Sequence, residues 1–233
     1  MNLKSSLHDM LGLIMSTVYA ALATNVMLIV ACLPLVLGLL TTDPSRSWPV
    51  LVLTVPLCAP AFAAASTVFE RFSADTSTGV VRTFWRAWRA AFPRAAAVGA
   101  LGAALGLVAG VDAAWAWGQR VGAFAIPVLV TLVAVAVCVT LTALVALGSV
   151  PHARVRDVLR VAGYAAVRRW YLTALSVVLL GVLAAVVAAR PALGLGLALA
   201  PLLYVVWANT RFALRPALDA ADAAPVRAAG TTA

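Results

Sequence analysis

The chain has 233 residues, 64% hydrophobic and 11% charged, with a formal net charge of +9 and a mean hydropathy of +1.03. A soluble domain carries about 25% charged and about 45–50% apolar residues, and this excess of apolar surface could not be hidden in one core, which excludes a water-soluble globule. The basic balance would point to nucleic acid in a soluble protein, but no zinc-binding spacing or recognition-helix pattern accompanies it, and the Arg residues flank apolar runs, so no nucleic-acid partner is expected.

A membrane span needs about 20 apolar residues. In chain order, Leu3, Leu7, Met10 and Leu11 share a helical face that leads into a first span at 17–40, interrupted by Pro34 and holding the buried amide of Asn25. This run is far longer than the roughly 7–15 apolar residues of a signal peptide, so it reads as a retained span. After the polar break TTDPSRSWP comes a second span at 50–69, with Pro56 and Pro60 inside it.

An Arg-rich stretch follows. Val81, Phe84, Trp85, Trp88 and Phe92 recur at helical spacing, with Arg82, Arg86 and Arg89 on the other side. Thr76, Ser77 and Thr78 offer N-caps, and Pro93 is expected to end or bend this helix. Aromatics opposite Arg suit either an anchor lying in the headgroup zone or a docking helix for a partner.

The third span, 95–117, carries Gly102, Gly106 and Gly110 as overlapping GxxxG motifs, which allow close approach to another helix of this chain or of a second copy. Asp112 is the one acid well inside an apolar run; intramembrane acids are functional candidates by default, although a pairing with Arg120 near the span end is the plainer reading. The fourth span is 125–147. A second Arg-rich stretch then places Val155, Val158, Leu159 and Ala162 opposite Arg156 and Arg160. Spans five and six, 171–189 and 192–213, are separated by a tight turn at Arg190-Pro191; a single helix through Pro191 would exceed 40 residues. Asn209 lies in the sixth span. Residues 216–233 form a tail expected to be disordered.

Basic residues alternate across this threading. Fourteen fall on the side of the termini and the two Arg-rich stretches, against Arg46, Arg120 and Arg190 on the other. The positive-inside rule then puts both termini in the cytoplasm. The expected fold is all-α: one six-span domain over 1–215 with cytoplasmic amphipathic helices. Those helices recur with an offset of 74 residues, aligning Leu7, Val81 and Val155, so a threefold repeat of helix plus helical hairpin is one reading and coincidence the other.

The residues offer little chemistry. Cys32, Cys58 and Cys138 have no metal or redox spacing, and His8 and His152 stand alone. There is no nucleophile triad, phosphate loop or metal cluster, so no catalytic, cofactor or metal residues are assigned and no enzyme is expected. Asn25 and Asn209 read first as interhelical glue.

Several motifs resemble one family. Asn25, Leu33-Pro34, the run APAFAAASTVFERF (Ala59 to Phe72) and RTFWRAWRAAFPRA (Arg82 to Ala95) are similar to those of the YesL-like family, bacterial membrane proteins of unknown function. The resemblance is clearest over Thr17 to Gly99; the loop between Phe72 and Val80 departs from the pattern. The family is often encoded beside carbohydrate-uptake systems of the ATP-binding-cassette type, which implies an accessory or regulatory role in sugar transport. The expected partners are the lipid bilayer and a membrane transport complex, with a homo-oligomer through the glycine face as an alternative. A permease in its own right is the second expectation, its path near Asn25, Pro56, Pro60 and Asn209. The stretch VAGYAAVRRW lacks the acidic start of an ATPase-coupling loop, and a lipid-acting enzyme comes last.

Overall fold

The computed structural model describes residues 3–75, 79–149, 154–190 and 193–230. The proposed caps Thr76, Ser77 and Thr78, together with His152 and Pro191, lie outside them. The described residues are helical. The elements are α1 (Leu3–Ala31), α2 (Leu33–Thr41), α3 (Pro44–Ala74), α4 (Val80–Ala116), α5 (Gly122–Ser149), α6 (Val155–Arg168), α7 (Trp170–Ala189), a π-helical turn (Gly194–Ala198) and α8 (Leu199–Gly230).

Among the described residues, five stretches are long and apolar enough to cross a bilayer: Met10–Ala31, Ser47–Ala74, Val80–Ala116, Gly122–Ser149 and Gly194–Arg215. A shorter apolar stretch covers Ala174–Ala189 in α7. This is a membrane-embedded helical protein.

Three expectations about boundaries change. The first span is not one helix: it breaks at Cys32, because Pro34 cannot donate to the helical ladder. Pro93 neither ends nor separates the amphipathic segment, and α4 runs through it for 37 residues. At 1.5 Å per residue that is about 55 Å, against a hydrocarbon core of about 30 Å, so the first turns of α4 project beyond the bilayer. The two segments expected as fifth and sixth spans are separate helices, as anticipated, with α7 ending at Ala189 and the π turn starting at Gly194. The C-terminal segment continues as α8 to Gly230, as its Ala-rich composition favours.

Helix α3 is the centre of the bundle. Ala59, Pro60, Ala61, Phe62, Ala63, Ala64, Ala65 and Ser66 are all buried, as are Val68 and Phe69. A helix buried on every side needs small residues to admit neighbours on every side, which is what the AFAAAS run supplies. Helices α4 and α5 pack directly on α3; α1, α2 and α8 also touch it, and α7 packs on α8, α5 and α6 instead. Gly118, at φ +83°, makes the α4–α5 turn, a conformation that glycine adopts without a steric penalty. The flanking Trp115, Trp117 and Phe124 are highly exposed at this end, as in an aromatic belt.

Gly102 and Gly110 of α4 face neighbouring helices. A Cβ on Gly102 would lie 2.5 Å from Thr140 Oγ1 of α5, and one on Gly110 2.9 Å from the Trp48 ring of α3. Both contacts are within one chain. Gly106 has open space around its Cα. Its side of α4 borders an apolar groove of about 480 Å³ between α3, α4 and α5.

Candidate functional site at the basic end

The ends of α3 and α5, the middle of α8, the start of α4 and the short helix α6 meet at one end of the bundle. Thr67 Oγ1 of α3 donates to the Gly148 carbonyl of α5 at 3.2 Å. Glu70 of α3 and Arg211 of α8 form an ion pair at 3.1 Å. Arg169, between α6 and α7, donates to the Phe212 carbonyl at 2.9 Å and stacks on that ring. Arg211 lies over Trp207, and Phe69, Tyr204 and Trp207 cluster beneath, Phe69 meeting Tyr204 edge to face and Trp207 tilted against both. This packing ties α8 to α3.

The projecting part of α4 has two unlike sides. Phe84, with 0% of its surface exposed, lies in the protein core. Trp85, Trp88 and Phe92 are half-buried and continue from it as a T-shaped ladder, with centroids 5.9, 5.3 and 4.9 Å apart. The aromatic side is thus largely occupied by the protein itself. Val81, at 41%, is its most exposed member. On the other side Arg82, Arg86 and Arg89 are exposed at i, i+4 and i+7 and form a ridge. Helix α6 repeats this polarity: Val158 and Ala162 are buried, Val155 and Leu159 half-buried, Arg156 and Arg160 exposed.

The intramembrane amides are engaged. Asn25, 2% exposed, donates through Nδ2 to the Gly196 carbonyl at 2.7 Å and accepts from the Ala200 N–H at 2.6 Å. Gly196 and Ala200 are an i, i+4 pair. The α1 amide therefore inserts where an α-helical bond would close, and the chain opens there into the π turn Gly194–Ala198. Pro201, one residue on, withholds a further N–H from the ladder. Asn209 of α8 donates to the Leu172 carbonyl at 2.7 Å and to Ser176 Oγ at 2.8 Å, both on α7. Asn209 also borders a cavity of about 10 Å³, room for one water at most.

Asp112 is exposed near the end of α4 opposite the basic end. It makes no ion pair among the described residues, so the expected partnership with Arg120 does not form. The Trp117–Gly118 turn intervenes between the two. A larger cavity of about 570 Å³ lies between α1, α3 and α8, walled by Phe69, Phe72, Tyr204 and Pro201 among others. The buried Thr24 hydroxyl at its edge has no partner.

Three features escape the sequence pattern. Glu70 and Arg211 are 141 positions apart, and each alone reads as ordinary loop charge. Cys32 and Cys58 lie within side-chain hydrogen-bonding reach of each other across α2 and α3, with no spacing to announce it. The π turn has a faint signal in Gly194, Gly196 and Pro201, but its partner on α1 does not.

Residues 21–113 match the family described as "Protein of unknown function, DUF624". This bears out the resemblance to the YesL-like proteins, which carry that domain. The matched stretch covers Asn25, the whole of α3 and all but the last three residues of α4. No curated protein and no solved structure matches the chain.

Proposed function

We propose that this membrane protein is a non-catalytic accessory or regulatory subunit of a membrane transport system, and that it meets its partner through the basic end. In this reading α7 is a sixth span. The three amphipathic starts at Leu3, Val80 and Val155 descend from one repeated unit. The basic end and both termini lie in the cytoplasm of a bacterial inner membrane. The charge asymmetry supports the orientation. The company kept by YesL-like proteins points to sugar uptake as the type of transport.

The observation that carries the reading is the exposed ridge of Arg82, Arg86 and Arg89 on the part of α4 that outruns the bilayer. A lone interfacial anchor would turn its aromatics to lipid, whereas here those aromatics lean on the protein and the guanidiniums face outward. Arg is favoured at interfaces because its planar fork pairs bidentately with carboxylates. The partner surface is accordingly acidic.

A permease needs polar groups along a path. Asn25 and Asn209, the amides best placed to line one, are committed to helix backbones. The two large cavities have mostly apolar walls. That makes a transporter in its own right the weaker reading.

Crosslinking in native membranes followed by mass spectrometry tests the proposal. Wild-type protein should capture a defined transport component, and the combined variant Arg82→Glu, Arg86→Glu, Arg89→Glu should lose it. Capture of the same partner at undiminished yield by that variant would sink the docking surface. Substituting Phe84 would not test it, because that ring is interior.

A further inference from the structure

Two of the three cysteines meet inside the membrane. Cys32 and Cys58 lie within side-chain hydrogen-bonding reach of each other, and both are partly accessible rather than sealed in the core. Along α3, Cys58 is about 15 Å from Trp48 and about 20 Å from Arg71, which places the pair near the middle of the bilayer. Cys32 is also the residue at which α1 breaks into α2. Its backbone, at φ −101° and ψ 19°, belongs to neither helix.

A free cysteine inside a protein ordinarily serves as a small hydrophobe. That role gives no reason for two thiols from different segments to meet at a helix break. No third His, Cys, Asp or Glu joins them among the described residues, so the pair does not build a structural zinc site, which takes four ligands. A disulfide needs only the two sulfurs, brought to about 2.05 Å. Rotation about the two Cα–Cβ bonds and a small shift at Cys32 supply that movement, because the backbone there is already out of regular helical geometry. Cys58 also borders the groove of about 480 Å³ between α3, α4 and α5, whose walls include Trp48, Val55, Phe62, Val137 and Leu141. That volume is in the range of small-molecule sites, and aromatic walls suit a flat ring. Charged thiol buffers are kept out of hydrocarbon by the cost of burying their charge. An oxidant that reaches this depth must be neutral and lipid-soluble.

We infer that Cys32 and Cys58 form a redox-active dithiol, oxidised to an intramolecular disulfide by a lipid-soluble quinone that enters the groove beside Cys58. Two S–H bonds break and one S–S bond forms. The two electrons and two protons released reduce the quinone to its hydroquinone, which leaves by the same groove. The new bond joins α3 to the α1–α2 break and fixes the angle between those two helices. The Asn25 clamp holds α1 two turns earlier, so oxidation secures the intervening segment at both ends. The site is independent of the partner reading at the basic end.

The test uses the full chain in phosphatidylcholine nanodiscs, fully reduced and then mixed with a short-tailed benzoquinone whose ring substituents block thiol addition. After denaturation, maleimide–polyethylene glycol counts the free thiols. The chain has three cysteines, so the reduced protein should take three tags and the oxidised protein a single one. Peptide mass spectrometry should find Cys32 linked to Cys58, with one hydroquinone formed per chain. Ferricyanide, a charged oxidant confined to water, should act at least about tenfold more slowly. Cys138→Ala should form hydroquinone as the wild type does, whereas Cys58→Ala should form none above background. The linked peptide and the hydroquinone yield are read on the unsubstituted chain, so a poorly folded variant leaves the test intact. The oxidised protein should also melt at a higher temperature than the reduced one, because the link restricts the unfolded chain. Three tags after exposure to quinone, a link through Cys138, equal rates with ferricyanide or an unchanged melt would overturn the site.

Discussion

Replacing Asn25 with Leu removes the two hydrogen bonds that hold α1 against the π turn. Leu is close in size, so packing changes little and the loss is polar. It leaves the Gly196 carbonyl and the Ala200 N–H facing an apolar side chain. These two could in principle bond each other and restore an α-helix. That would remove the extra residue of the π turn and rotate everything after it by about 100° about the helix axis. Helix α8 cannot follow, because Asn209 holds it to α7 and Arg211 holds it to Glu70. The two backbone groups therefore stay unsatisfied. Each costs about 1–3 kcal/mol when buried without a partner, whereas side-chain hydrogen bonds in membrane proteins average about 0.6 kcal/mol. The expected destabilisation is roughly 1–4 kcal/mol. Equilibrium unfolding in mixed micelles measures it. An Asn25→Leu protein within about 0.5 kcal/mol of wild type would refute the clamp.

Two further expectations test the packing. Gly102→Val drives its side chain into Thr140 and should cost about 1–3 kcal/mol. Gly106→Ala, with open space, should be neutral or gain up to about 1 kcal/mol from helix propensity; comparable losses at both positions in thermal melts would contradict the assigned faces. Phe84→Ala should lower stability by about 3 kcal/mol or more with no partner present, against less than about 1 kcal/mol for Val81→Ala. A Phe84→Ala protein that melts normally would return that ring to the outer surface.

Much of this was legible along the chain because it depends on transfer free energy alone. Long apolar runs must enter lipid, and Arg residues mark their ends whatever the packing. The 3.6-residue period likewise placed Arg82, Arg86 and Arg89 together on one side of a helix. Periodicity assigned the opposite side to the aromatics as one exposed stripe, and there it misled. Burial on α4 is centred nearer Thr83, Phe84 and Ala87, because the helix leans on α3 and α5 rather than on a flat interface. A hydrophobic stripe looks the same whether lipid, a partner or the protein's own neighbouring helix covers it.

The sequence by itself determined the solvent, the helical class, the approximate spans and the asymmetry of charge, since each follows from local composition and backbone hydrogen bonding in lipid. Only the tertiary structure decided that Asn25 reaches across to open a turn 171 positions away. It alone decided that Glu70 meets Arg211, that Gly102 and Gly110 serve contacts within the chain, and that Arg71, Arg86 and Arg94 border one cleft. The physical reason is the same in each case. Apolar transfer sums over neighbours in sequence, whereas a hydrogen bond, an ion pair or a cleft depends on which helices come to lie side by side.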